Sequence, residues 1–329
     1  MPRKRGPGAV EWRAPGDGDL DAWAALLAEI EAVDGTGEVI TTADLANELG
    51  LPSFDRERDA RLAWSDGELP VAWGTALVLS GSRHHRIVLE GGVHPAWRGR
   101  GIGRSLLAWQ VSRGTELAVA LRPPLTTWLE GSAGEREAER AALFGRAGFS
   151  PERHYFEMRR DLAEPIPEPM VPSGLRLVAY STELDEAVRR AHNEALADHW
   201  AATTTDAAEW SAFVTGHRGF RADRSFVVLD GREVVGYAIG AEHPDDWPAL
   251  GFTEGWTEQL GVRRPWRGRG VARALLDASL GAFARAGRDH AALDVDAENP
   301  TGAVALYERA GYRRARCHVA WARPLPGRW

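Results

Sequence analysis

One stretch of this chain occurs twice. Val93, Trp97 and the run Arg98-Gly99-Arg100-Gly101-Ile102-Gly103-Arg104 match Val262, Trp266 and Arg267-Gly268-Arg269-Gly270-Val271-Ala272-Arg273 at a constant offset of 169. A second pair, Leu143-Phe144 through Gly148-Phe149 and Leu306-Tyr307 through Gly311-Tyr312, follows in the same order at an offset of 163. Two blocks in one order argue for duplication of a whole domain rather than of a motif. The 329 residues agree, since a domain takes roughly 150. Residues 164–172 carry four prolines in nine positions, a composition that suits an extended linker and no helix interior or central strand. The expected organisation is therefore a tail (1–10), a first domain (11–162), a linker (163–174) and a second domain (175–329).

Composition removes several chemistries. The single cysteine, Cys317, excludes a disulfide framework, a multi-cysteine zinc site and a CxxC redox centre, and no metal site is expected. The single lysine, Lys4, lies near the terminus, so Schiff-base chemistry and a Walker A loop are excluded. A net charge of −7 argues against nucleic acid as a partner and slightly favours a cationic ligand. No apolar run reaches the ~18 residues a membrane span needs, and the basic N-terminus leads into Gly6-Pro7-Gly8 rather than an apolar segment. A cytoplasmic protein without membrane contact is expected.

Each half reads as mixed α+β with a strand, a loop and a helix at its centre. In the second half we expect helices at 182–200, 207–214, 270–286 and 301–310, and strands at 225–229, 233–241, 256–262, 291–295 and 312–322. In the first half we expect helices at 20–33, 101–113 and 136–147, with strands at 71–79, 86–93 and 117–121. The two Arg-Gly-Arg-Gly loops join a strand to a helix. A helix start leaves backbone N–H groups unpaired and carries partial positive charge. Glycines let an anion approach those groups, and arginines add charge. The expected ligand is a pyrophosphate. A Rossmann fingerprint is the rival, but Gly99-x-Gly101-x-Gly103 and Gly268-x-Gly270 do not carry its spacing.

These residues resemble the GCN5-related N-acetyltransferases, in which such a loop is preceded by Val-x-x-x-Trp-Arg and followed about 40 residues later by Leu-Tyr-Glu-x-x-Gly-Tyr. Both halves carry the pattern. The tandem arrangement, with Asn193-Glu194 and His199-Trp200, is similar to the mycothiol-synthase group of that family. The resemblance implies two tandem domains, each a splayed mixed sheet flanked by helices, with acetyl-CoA as cosubstrate and a small-molecule primary amine as acceptor. It implies that a strand edge at Leu260, Gly261 and Val262 holds the pantetheine arm, the Leu260 N–H serving as oxyanion donor. The pyrophosphate falls on residues 267–273, the Asn299 side chain contacts the cofactor, and in the first half Val93 and residues 98–103 match.

Amine acetylation needs a proton acceptor, an oxyanion donor and a proton for the departing thiolate. Glu258, in the strand before the second loop, is the candidate base; an exposed edge glutamate is the alternative. Strand alternation puts Trp256, Glu258 and Leu260 on one face and Thr257, Gln259 and Gly261 on the other. Tyr307 falls where the family places the tyrosine that protonates the thiolate. Glu254, Trp256, Asn193 and His199 are candidate acceptor contacts. The first half has Phe144 for the tyrosine and Leu89 for Glu258, so chemistry is expected only in the second half. A non-catalytic acyl-CoA-binding module remains the different-class alternative. A monomer is expected, because a duplicated chain can mimic a dimer.

Overall fold

Alternation of apolar residues in the strands and apolar stripes on the helices produce two compact units. The structure, a computed structural model, describes residues 10–51, 53–65, 69–79, 84–122, 125–197, 204–299 and 301–325. Unit 1 holds residues up to Glu152 together with those from Val319 onward, and unit 2 runs Arg153–His318.

In unit 1, β1 (Glu11–Arg13), α1 (Leu20–Asp34) and α2 (Thr42–Leu49) precede β2 (Ala60–Trp64), β3 (Pro70–Thr75), β4 (Leu77–Leu79), β5 (His84–Val88) and β6 (Gly91–Val93). Then come α3 (Ile102–Ala120), β7 (Thr126–Gly134) and α4 (Ala138–Arg146). The antiparallel order β1-β2-β3-β6 forms one sheet; β4 pairs antiparallel with β5, which runs parallel to β7. Ile87, Leu89, Leu107, Leu129 and Phe144 form the core under α3 and α4, with Trp321 and Leu325 of the last strand packed on it.

β8 (Ser150–Asp161) crosses from unit 1 into unit 2 at Arg153. Unit 2 continues with β9 (Leu175–Ala179), α5 (Asp185–Leu196), β10 (Phe226–Asp230), β11 (Glu233–Ala241) and β12 (Glu254–Val262). It ends with α6 (Val271–Arg285), β13 (His290–Asp296), α7 (Ala303–Arg309) and β14 (Arg313–Leu325), of which residues 313–318 belong to unit 2. The strand order is β14-β8-β13-β12-β11-β10-β9. β9 to β12 are antiparallel neighbours, β12 and β13 are parallel, and β13 and β8 are antiparallel. Phe283, Leu276 and Leu280 of α6 pack with Leu293, Tyr307, Tyr312 and Met158. A second cluster joins Val188 and Ala191 of α5 to Trp210, Val227 and Tyr237.

The units do not divide at the prolines. Residues 155–161 pair with β13 inside unit 2. The proline-rich segment lies wholly in unit 2, where Ile166 packs on the core and the Arg160 guanidinium donates to the Pro165 carbonyl. Proline count signals an irregular backbone but not whether that backbone is packed.

Several elements differ from expectation: the strands expected at 71–79 and 86–93 are each broken in two, β3 with β4 and β5 with β6, the parts lying in different sheets. α3 runs through Gly114 to Ala120, and the following strand starts at Thr126 rather than 117. Leu117, Ala118 and Leu121 pack on the core at helical spacing, and a short apolar run does not by itself separate helix from strand. Gly114 stays in the helix because a Cβ there would meet Leu129 at 2.6 Å. α2 was not expected; the Thr41 side chain caps it through the Asp44 N–H, and the Asp44 carboxylate returns the bond to the Thr41 N–H. The helix expected at 207–214 is a single α-turn, Ala207–Trp210, followed by a π-turn, Ser211–Thr215. Among the described residues no helix is long and apolar enough to cross a membrane.

Candidate functional site

The site in unit 2 starts from a parting of strands. β12 pairs with β13 only over residues 254–256, while it stays with β11 as far as Val262. Among the described residues, one edge of β12 beyond Trp256 has no neighbouring strand. The Arg263 N–H donates to the Val235 carbonyl at 2.9 Å. By antiparallel alternation, residues 259 and 261 also turn their backbone groups to β11, and those of Leu260 and Val262 face the opened edge. The Leu260 N–H thus points into the opening. Gly261 contributes shape instead: a Cβ there would meet the Tyr237 ring at 2.4 Å.

The parting coincides with a bulge. Ile239 pairs with Gln259 and Gly240 with Thr257, so Glu258 is the extra residue. This breaks the expected alternation. Glu258 and Gln259, adjacent in sequence, line the same pocket of about 250 Å³. The Glu258 carboxylate lies 2.7 Å from His243 Nε2, and the His243 ring packs edge-on to Trp256 at 6.4 Å. The Trp256 indole donates to Glu254, whose other oxygen accepts from the Arg159 guanidinium at 2.7 Å. Glu254 is buried in that ion pair, so it supports the wall at Trp256 and does not itself line the pocket.

Asp294 of β13 also faces this region. Its side chain is solvent-accessible yet recessed among protein atoms. Desolvation, reinforced by the Glu258 carboxylate, pushes its carboxyl up to about 6.

After β12 the chain enters the glycine loop. Gly268 and Gly270 take φ of +72° and +91°, and Gly270 starts α6 without a side-chain cap. The first helical bond runs from the Ala274 N–H to the Gly270 carbonyl, so helix geometry leaves the N–H groups of Val271, Ala272 and Arg273 for an anion. The arginines divide their work. Arg267 donates from Nε to the Val262 carbonyl and from Nη2 to the Ala195 carbonyl. Arg273 holds Asp277 and the Arg309 carbonyl, tying α7 to α6. Arg269 is exposed on the loop. Unit 1 repeats the design. Gly99 and Gly101 have φ of +74° and +83°. Arg98 donates to the Val93 carbonyl and pairs with both oxygens of Asp34 at 2.7 Å, and Arg100 stacks on Trp97. A recess of about 430 Å³ beside Gly101, Ile102 and Arg104 faces this loop; Gly103 follows inside the helix.

Tyr307 lies in α7, nearly buried, its phenol pushed up to about 12 by burial. It stays protonated at neutral pH and can donate. Its ring packs edge-on to Tyr312. Tyr237 is fully buried against Gly261, 2.8 Å through its hydroxyl from His192 Nδ1. Burial drives the His192 imidazole down to about 4, so it is neutral. Asn299 accepts from the backbone and hydroxyl of Thr301, closing the turn before α7. Asn193 clamps the Thr205 backbone through both ends of its amide and does not line the pocket. His199 lies outside the described residues. In unit 1 both Phe144 and Leu89 are core residues. Among the described residues no group of three or more His, Cys, Asp or Glu is placed to hold a metal, and Cys317 is buried in β14.

His243, Asp294 and Tyr237 were not found by sequence reasoning. His243 precedes Glu258 by 15 residues, a separation with no local period. Asp294 reads as a strand carboxylate, and Tyr237 as one more aromatic in an apolar strand.

Comparison with known proteins adds the following. A family model described as Acetyltransferase (GNAT) family matches residues 186–312. The chain is 31% identical to the mycothiol acetyltransferase of Nocardia farcinica, covering 95% of this chain and 97% of that one. It is 32% identical to the mycothiol acetyltransferase of Geodermatophilus obscurus, covering 91% and 92%. A GCN5-related N-acetyltransferase from Sphaerobacter thermophilus superposes with a TM-score of 0.75 at 26% identity, covering 97% of each chain. A tandem GNAT protein from the clavulanic acid biosynthesis pathway shares the fold with a TM-score of 0.71 at 19% identity, covering 97% of this chain and 100% of that one.

The divided arginines make a prediction. Arg267→Ala, which removes two charged hydrogen bonds to backbone, is expected to lower stability by about 2–3 kcal/mol in urea unfolding. Arg269→Ala is expected to leave stability unchanged and weaken CoA binding about tenfold by calorimetry. The reverse pattern would show that Arg267 binds phosphate and Arg269 holds the fold.

Proposed function

The chain belongs to the GNAT acetyltransferase family, whose acetyl donor is acetyl-CoA, and from that premise we propose that unit 2 transfers the acetyl group directly to the amine of a small-molecule acceptor. One observation carries this reading. The bulge that sets Glu258 beside the pocket lies where β12 leaves β13. A carboxylate, two backbone N–H groups and an open strand edge therefore meet at one point.

The chemistry follows. The thioester lies along the opened edge of β12, its carbonyl oxygen toward the Leu260 N–H, with the pyrophosphate at the start of α6. Glu258 takes a proton from the acceptor's ammonium, and His243 holds the carboxylate in place. The free amine attacks the thioester carbon and the C–N bond forms; as the tetrahedral intermediate collapses the C–S bond breaks, and the surplus proton on nitrogen passes through water to the departing sulfur, so that neutral amide and CoA thiol are the products. Tyr307 donates to the departing thiolate. With its phenol at about 12, well above the ~8.5 of an ordinary thiol, it acts mainly as a hydrogen-bond donor. Unit 1 keeps the loop but not these groups, so no transfer is expected in unit 1. A second reading takes the acceptor to be that of the mycothiol acetyltransferases, on the strength of similarity over more than nine-tenths of both chains.

Glu258→Gln and Tyr307→Phe are each expected to lower kcat about a hundredfold, with acetyl-CoA affinity by calorimetry within threefold of the parent. Unchanged turnover in both contradicts the assignment. Asp294 supplies a pH signature. Its carboxyl, raised to about 6, is charged above that pH and neutral below it. The KM for a cationic amine is expected to fall as pH rises through about 6. In Asp294→Asn that inflection is expected to vanish; an identical profile in both proteins removes Asp294 from the site.

A further inference from the structure

The pocket beside Glu258 is sharply divided in character. Its floor is Ile239 and Ala241 of β11, 1% and 2% exposed, and its walls are Phe213, Val214 and Phe220. The polar lining consists of His217, His243, Glu258 and Gln259, of which Glu258 is accessible to solvent.

The floor offers no polar partner. The backbone of β11 there pairs with β12 on one side; on the other Ala241 bridges to Phe220 and the Gly240 N–H donates to the Ser225 hydroxyl. The Gly240 carbonyl accepts from the Arg221 N–H, and the Glu242 N–H donates to the Gly219 carbonyl. A hydroxyl placed on Ile239 and Ala241 would lose water and gain nothing, whereas an apolar group would gain by the same burial. Phe213 stands on the π-turn Ser211–Thr215 with 43% of its surface exposed. A large apolar side chain left open at the edge of an apolar recess is suited to close over an apolar ligand.

Resting on the reading of unit 2 given above, we propose that the acceptor carries an apolar substituent next to its amine, a branched aliphatic or aryl group. That group fills the pocket over Ile239 and Ala241 while the ammonium meets Glu258. The volume of about 250 Å³ accommodates a leucine- or phenylalanine-sized group. A polyhydroxylated amine is disfavoured, because each hydroxyl buried without a partner lowers kcat/KM by about tenfold.

The test uses the full-length protein, acetyl-CoA and four amines: phenylalanine amide, leucine amide, alanine amide and glucosamine, followed by release of CoA. Phenylalanine amide and leucine amide are expected to exceed the other two in kcat/KM by at least about tenfold. Glucosamine or alanine amide matching them overturns the inference. Ala241→Leu, which raises the floor, is expected to reduce the phenylalanine amide to alanine amide ratio at least about tenfold. The surface variant Phe213→Ser, which spares the core, is expected to reduce the same ratio. A ratio that moves in neither variant overturns the inference. Release of CoA with none of the amines, acetyl-CoA being bound, overturns instead the reading of unit 2 as the transfer site.

Discussion

Everything in unit 2 turns on β12 leaving β13 while remaining bonded to β11. A strand edge without a neighbour exposes N–H and C=O groups that must find partners. Here the protein satisfies only some of them. Arg267 reaches back to the Val262 carbonyl, which leaves the N–H groups of Leu260 and Val262 facing the opening. Small residues make it possible. Gly255, where the two strands still run together, is fitted against the Phe283 ring, which a Cβ would meet at 2.1 Å. Gly261, on the open stretch, is fitted against Tyr237. The strand is thus held rigidly from both faces while one edge is free.

Charge is handled with similar economy. The arginine-rich loops look like phosphate clamps, but in both units the first arginine braces the strand that precedes it: Arg98 on Val93 and Arg267 on Val262. What the two loops share is a helix that starts at a glycine and leaves its first backbone N–H groups without intrahelical partners. The two units differ elsewhere. Unit 2 carries Glu258, His243 and Tyr307, whereas unit 1 has Leu89 and Phe144 buried in its core. Both copies keep the loop and the brace, whereas the groups proposed to handle protons are present in one.

Much of this was legible in the chain. The repeated block located both loops, and the glycines at 99, 101, 268 and 270 all adopt the positive φ that only glycine takes readily. Strand and helix types in the second half agree with their periodicity, because those elements are long and strongly apolar on one side. The remainder depends on distance in space. The bulge at Glu258 leaves no local signature, so alternation wrongly separated Glu258 from Gln259. The partners of Glu254, Asn193 and Asn299 come from elsewhere or from the turn itself. Within the protein Glu254 holds Trp256, Asn193 holds Thr205, and Asn299 closes the turn before α7. Residues 155–161 belong to the second unit through pairing with β13, a choice of neighbour that no linear pattern encodes.

The central claim is that the opened edge of β12 and the start of α6 hold the acetyl donor. Amide hydrogen exchange, followed residue by residue with and without acetyl-CoA, addresses it directly. The account predicts slowed exchange at Leu260 and Val262 and at Val271, Ala272 and Arg273. Exchange at Gly261, already bonded to β11, should change little. Unaltered exchange at Leu260 and at the start of α6, with acetyl-CoA bound, would contradict it.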